Sequence, residues 1–225
     1  MRINKFLALA TGMSRRTADA ELARGSVQVN GTLATLGQQV TTADTITYNG
    51  RPLDTKALQT DAAYTTIMLN KPVGYVVSRN GQGSRTIYDL LPTQYHGLKP
   101  IGRLDKDSSG LLLLTDNGQL AHELTHPSRQ KQKVYEIALD NPLQPLHRQM
   151  ISDHGVQLED GVSRFEIERL RDGDDKQWRV IMHEGRNRQI RRTFAALGYT
   201  VVKLHRTHFG PYILNAPPGI YTQVY

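Results

Sequence analysis

The chain has 225 residues, 38% of them hydrophobic and 22% charged, with 19 glycines and 10 prolines; this excludes disordered, collagenous and fibrous proteins and suffices for one large domain plus a small one. It contains no cysteine, which removes disulfides, thiolate zinc sites, iron–sulfur clusters and a cysteine nucleophile, and suits a reducing cytoplasm. A formal net charge of +7 biases it toward a polyanionic partner.

Ile3, Phe6, Leu7 and Ala10 share one helical face, and a second helix is predicted from the N-cap Ser14 to Arg24, closed by Gly25. The first apolar run is stopped by Thr11-Gly12 and Ser14-Arg15-Arg16, too soon for a secretory core. No stretch approaches the ~20 apolar residues of a membrane span, so a cytoplasmic chain with no membrane partner is expected. Val27-Gln28-Val29 meets an Asn30-Gly31 turn and Ile46-Thr47-Tyr48 meets Asn49-Gly50, each an alternating run ending in a hairpin signal. Residues 1–58 are thus predicted to form a compact helix–helix–strand module. Asp54 to Ala62 carries no periodicity and reads as a linker.

Residues 63–225 alternate strand-like runs with turns: Thr66–Asn70, Tyr75–Ser78, Leu111–Thr115, Val134–Leu139, Phe165–Leu170, Trp178–Met182 and Val201–His205. That pattern predicts a mixed, largely antiparallel sheet in an α+β domain. A helix is expected from Asn187 to Leu197-Gly198, with Ile190, Phe194 and Leu197 as its buried stripe. Its first two turns carry Arg188, Arg191 and Arg192. Arginines at the positive end of a helix oppose the macrodipole unless they face anions.

The charge is clustered. Residues 2–24 hold Arg2, Lys5, Arg15, Arg16 and Arg24 against Asp19 and Glu21, and residues 183–206 hold six Lys/Arg against Glu184 alone. Two basic clusters far apart in sequence suit one long polyanion crossing the surface.

His122-Glu-Leu-Thr-His126 is a literal H-E-x-x-H, which on a helix would bind zinc with the glutamate as general base. Pro127 forces residue 126 out of the α-region, so the second histidine is expected at the helix end, as a surface or capping residue, and no metal site is assigned. Gly81-Gln-Gly83 lacks the helix-opening residues of a nucleotide loop and reads as a turn. More telling is Gly102-Arg103-Leu104-Asp105-Lys106-Asp107-Ser108, which places an arginine and a carboxylate on a short loop directly before a buried strand.

GRLDKDSSGLLLLTDNG, with NKPVGY at 70–75, KVYEI at 133–137 and EGRNRQIRRTFAALG at 184–198, resembles the bacterial rRNA pseudouridine synthases of the RsuA/RluB/RluE/RluF type over nearly all of residues 64–225. The N-terminal module resembles the small RNA-binding domain named after ribosomal protein S-four. Departures are minor: Ser108 stands where threonine is common, TDNG replaces T-x-D-G, and Thr193 sits where methionine is frequent.

The resemblance implies conversion of a specific uridine to pseudouridine with no cofactor, because the reaction is an isomerisation without redox change. It assigns the essential aspartate to Asp105, as covalent nucleophile or as base for a sugar proton. It makes Arg191 the partner that keeps Asp105 ionised, and Tyr135 the ring that stacks on the extracted base. The uridine must be flipped out of its stem, at about a few kcal/mol, of which stacking returns about 1–3. Arg103 is then suited to hold the distorted backbone or fill the vacated space. Arg2, Lys5, Arg15, Arg16, Arg188 and Arg192 are expected to bind RNA phosphates. The expected partner is ribosomal RNA or a ribosomal subunit assembly intermediate, met by a monomer. The chain end soon after Pro217-Pro218-Gly219-Ile220-Tyr221, without a basic tail, slightly favours small-subunit over large-subunit rRNA. The alternative is a non-catalytic rRNA-binding assembly factor, although such a binder has no use for a carboxylate in a basic groove.

Overall fold

The structure, a computed structural model, describes residues 1–55 and 64–224. Most of the expected linker, 56–62, lies outside the described residues. The chain divides into two compact units, Met1–Ala63 and Tyr64–Tyr225.

In the first unit, helices α1 (Ile3–Thr11) and α2 (Arg15–Ala23) precede strands β1 (Val27–Val29), β2 (Thr32–Leu33), β3 (Ile46–Tyr48) and β4 (Arg51–Pro52). Ser14 caps α2 by accepting the Thr17 amide at 3.0 Å, and α1 buries Ile3, Phe6 and Leu7 against Ala18 and Leu22 of α2. The strands pair in the order β2-β1-β3-β4. Both Asn-Gly turns have positive φ at each residue, 52° and 79° at Asn30-Gly31 and 49° and 74° at Asn49-Gly50, the geometry of a two-residue hairpin.

The second unit contains β5 (Thr66–Lys71), β6 (Lys99–Ile101), β7 (Ser109–Thr115), α3 (Gly118–Thr125), β8 (Lys133–Leu139), α4 (Pro145–Gln149), β9 (Val156–Leu158), β10 (Gly161–Ser163), β11 (Glu166–Arg169), β12 (Gln177–Met182), α5 (Gln189–Ala196), β13 (Val201–Phe209), β14 (Tyr212–Ile213) and β15 (Tyr221–Gln223). Among the described residues, nine strands form one sheet, ordered β11-β12-β8-β13-β7-β5-β15, with β14 on β13 and β6 on β7. The β7–β13 pair is parallel and the other pairs are antiparallel, as the alternating pattern predicts.

Leu111 to Leu114 form a continuous apolar run because β7 is covered on both faces. Leu112 and Leu114 join the larger core with Ile137, Trp178 and Phe194, while Leu111 and Leu113 join Leu124, Phe209 and Tyr212 on the other side. Gly110 stands where β7 meets β13. Its φ is +108°, and a Cβ there would lie 2.2 Å from the Arg206 carbonyl oxygen, so the close parallel approach requires glycine.

Two local expectations are corrected. Tyr75–Ser78 is not a ladder strand; Val76 makes an isolated bridge to Thr86, and the segment is a loop folded back through the Gly81-Gln82-Gly83 turn. The β9–β10 hairpin is an addition to the expected elements, because its three-residue strands are too short for a clear alternation.

Candidate active site

Asp105 lies on the turn that leads into β7, and the turn is fixed from below. Lys71, the last residue of β5, is fully buried. Its ammonium donates to the carbonyl oxygens of Pro72 at 3.1 Å, Asp105 at 3.0 Å and Ser108 at 2.6 Å. Burial lowers its pKa to about 8, against the pull of Asp105 and Asp107. The Ser108 amide closes the turn onto the Asp105 carbonyl at 3.1 Å. The carboxylate of Asp105 remains about one-third exposed.

Asp105 faces a cleft of about 1210 Å³ whose lining includes Arg103, Tyr135, Lys133, Arg188 and Arg206. Tyr135 reaches it from the middle of β8 and is largely buried. Arg103 is exposed at the cleft and makes no hydrogen bond or ion pair among the described residues.

The partner expected for Asp105 is corrected. Arg188, not Arg191, makes the ion pair, with Nη1 3.5 Å from Oδ2. Arg188 also grips Asp107 with two hydrogen bonds, at 2.9 and 2.8 Å, which hold the Asp107 carboxyl below its usual pKa. Arg191, one turn further along α5, donates to the main-chain carbonyls of Asp107 at 2.8 Å and of Val201, and its Nε lies 3.3 Å from the Asp107 carboxylate. Arg188 is the N-cap of α5 with φ +47°, a left-handed conformation uncommon outside glycine, and this places its side chain over the turn.

Arg192, expected to meet phosphate, instead forms a two-pronged bond to Asp160, at 3.0 and 2.7 Å. Arg186 joins the same carboxylate at 3.0 Å. The arginines at the start of α5 therefore face anions as the macrodipole argument requires, but these anions are protein carboxylates. Thr193 is buried with its hydroxyl bonded to Ser163 at 2.7 Å and to the Gln189 carbonyl at 2.9 Å, so it leaves no polar group unsatisfied where methionine is frequent.

In the first unit, Arg2, Lys5 and Arg15 line one concavity together with Met1, and Arg16 is exposed on α2. The His122 and His126 rings meet edge to face at 4.7 Å, but His126 follows the last residue of α3 with an extended ψ of 127°, so the two do not sit one turn apart on a helix.

Residues 65–196 match the family described as RNA pseudouridylate synthase. The chain belongs to that family. It is 37% identical over 222 residues to ribosomal large subunit pseudouridine synthase B of Xylella fastidiosa (strain Temecula1 / ATCC 700964), covering 95% of this chain and 46% of that protein. The chain thus spans less than half of that relative's length. It is 35% identical over 226 residues to ribosomal small subunit pseudouridine synthase A of Yersinia pestis, covering 98% of this chain and 93% of the relative. A crystal structure of a pseudouridylate synthase, 30% identical, superposes with a TM-score of 0.69 over 100% of this chain and 96% of that one.

Within this pseudouridylate synthase fold, the sequence reading missed Lys71 and Arg206 as parts of the site. The NKPVGY motif was the available signal for Lys71, but nothing local shows that its ammonium folds beneath a loop more than thirty residues away. Arg206 is buried in β13, with Nε donating to the Leu111 carbonyl at 2.8 Å.

Proposed function

We propose that this chain isomerises a specific uridine of ribosomal RNA to pseudouridine, without a cofactor. The observation that carries the reading is the Asp105 carboxylate, held by its backbone and open to a cleft it shares with Tyr135 and the unpaired Arg103. A turn anchored by the buried Lys71 fixes the carboxylate at the edge of the cleft, which is the preorganisation that nucleophilic or general-base chemistry needs.

In this reading Asp105 attacks C1′ or takes a sugar proton, Tyr135 stacks on the flipped base, and Arg103 supports the distorted strand. Arg188 and Arg191 hold the turn and keep it electropositive. Residues 63–225 form the catalytic domain. Residues 1–58 form the S-four-like module that grips flanking phosphates through Arg2, Lys5, Arg15 and Arg16. The protein acts in the cytoplasm as a monomer on rRNA or on a subunit assembly intermediate; among the described residues no helix is long and apolar enough to cross a membrane.

The test is a map of pseudouridines in both ribosomal RNAs from cells with and without the gene, repeated with the purified protein on RNA fragments. Loss of one pseudouridine in the deletion and its restoration in vitro is expected, and its position assigns the subunit. Tight rRNA binding with no conversion would instead establish the assembly-factor alternative.

A further inference from the structure

Lys133 opens β8, and Tyr135 follows two positions later, so their side chains leave the same face of the strand. Across the ladder, Arg206 of β13 stands opposite Tyr135, and Phe209 stands opposite Lys133. The Lys133 ammonium lies 5.5 Å from the centroid of the Phe209 ring, and the Arg206 guanidinium lies 4.9 Å from it. Lys133 donates to the carbonyls of Lys131 at 3.2 Å and Glu184 at 3.4 Å, which leaves one of its three protons uncommitted. Arg206 is 2% exposed, and its Nη2 has no hydrogen-bond partner among the described residues. Burial and the adjacent Arg206 charge lower the Lys133 pKa, against an opposing pull from Glu184. Lys133, Tyr135, Arg206 and Phe209 line the same cleft as Asp105.

The contrast with α5 is informative. Arg186, Arg188, Arg191 and Arg192 each meet a carboxylate. Lys133 and Arg206 make no ion pair among the described residues, although they sit against one ring and repel each other. Two like charges withdrawn from water and an unpaired donor cost folding energy, and such a site lowers in free energy when an anion arrives.

The chemistry of the proposed reaction supplies one. When the bond from C1′ to N1 breaks, its electron pair stays on N1, and the base becomes a uracil monoanion with charge shared by O2 and O4. C1′ is taken up by Asp105, or C2′ gives Asp105 a proton. When C5 joins C1′, Asp105 leaves C1′ as a carboxylate or returns its proton to C2′; loss of the C5 proton and protonation of N1 then complete an isomer with no outside reagent. In a flipped nucleotide the base goes deepest and the phosphates stay at the rim. Phe209 and Arg206, 1% and 2% exposed, belong to the floor.

We propose that Lys133 and Arg206 are the cation pair that stabilises the departing uracil anion beside Tyr135. This rests on the pseudouridine synthase reading above.

The test compares single-turnover consumption of uridine and of 5-fluorouridine at the target position of one rRNA fragment, by wild type, Lys133→Met and Arg206→Lys, with RNA affinity measured in parallel. Fluorine withdraws electrons, so its base leaves more readily and needs less stabilisation. Lys133→Met should slow uridine consumption about 100-fold and 5-fluorouridine consumption about tenfold, with RNA affinity within about twofold of wild type. Arg206→Lys keeps the charge while losing the planar fork and its bond to the Leu111 carbonyl, and should show the same substrate difference at smaller size. Equal losses on both bases would overturn the proposal. So would RNA affinity weakened tenfold or more with the maximal rate unchanged, which would make the pair a phosphate anchor. A wild-type protein that consumes neither base would overturn the underlying reading instead.

Discussion

The ammonium of Lys71, fully buried at the end of β5, donates a 3.0 Å hydrogen bond to the main-chain carbonyl of Asp105. A strand residue and a loop residue are thereby locked together by a charge, and the carboxylate is held by its backbone while its side chain stays open to the cleft. Lys71→Met should leave the carbonyls of Pro72, Asp105 and Ser108 without this donor, costing about 3 kcal/mol of stability and most of the activity.

The burial of Lys71 makes stability depend on pH. The folded-state pKa of Lys71 is lowered to about 8, whereas an unfolded lysine titrates near 10.4. Between these values the unfolded chain binds more protons than the folded one, so the contribution of this site to stability rises with pH over that window and is smallest below it. In urea denaturation, wild type measured against Lys71→Met should gain up to about 1.4 kcal/mol per pH unit there. A flat difference would show that Lys71 keeps an ordinary pKa.

Asp105→Asn should abolish conversion and leave RNA affinity unchanged or slightly tighter, since a negative charge leaves a basic cleft. Gel-shift and single-turnover assays on the same RNA separate the two quantities, and appreciable turnover would assign the chemistry to another residue.

Arg188 and Arg191 should differ in consequence. Arg188 is 42% exposed where it meets Asp105 and Asp107, so Arg188→Ala should cost about tenfold in conversion. Arg191 is largely buried and bonds the backbone at Asp107 and Val201, so Arg191→Ala should cost about 100-fold or more by loosening the turn. The reverse ranking in single-turnover rates would mean that the direct interaction with the carboxylate, not the backbone support, dominates.

Deleting residues 1–58 should weaken rRNA binding and reduce its salt dependence without changing the conversion rate at saturating RNA, because every phosphate the module no longer neutralises keeps its condensed counterions. Arg15→Ala with Arg16→Ala should reproduce part of this weakening. Unchanged affinity and salt slope would exclude the module as the docking device.

The parts of this molecule that local pattern dictates are legible in the sequence. Ser14 caps α2, the two Asn-Gly turns close hairpins, and Pro127 places His126 past α3. Asp105 and Tyr135 reach one cleft as the family motifs imply. Interactions between distant segments are not legible. Arg188 and Arg191 lie within one turn of each other, and only the left-handed cap at Arg188 decides which guanidinium reaches Asp105. The burial of Lys71 depends on a loop that closes over it from far along the chain. The β9–β10 hairpin does carry a signal, Val156-Gln157-Leu158 followed by Asp160-Gly161, but a single alternation is weak against the noise of loops.

The doubly covered β7 has a consequence for how the molecule breathes. Leu111 to Leu114 are completely buried and pair with β5, and Leu113 and Leu114 also pair with β6, so their amide protons should exchange with solvent only on global unfolding. The two-stranded β9–β10 hairpin lies outside the main sheet, held by Val156 and Leu158 against the core and by side-chain bonds through Asp160 and Ser163, and should open and exchange sooner. The strand that follows the Asp105 turn is therefore stiff, whereas the hairpin that leads into the cleft residues Arg164 and Phe165 is compliant. Deuterium uptake by β7 and by the β9–β10 hairpin of the free protein should differ by orders of magnitude.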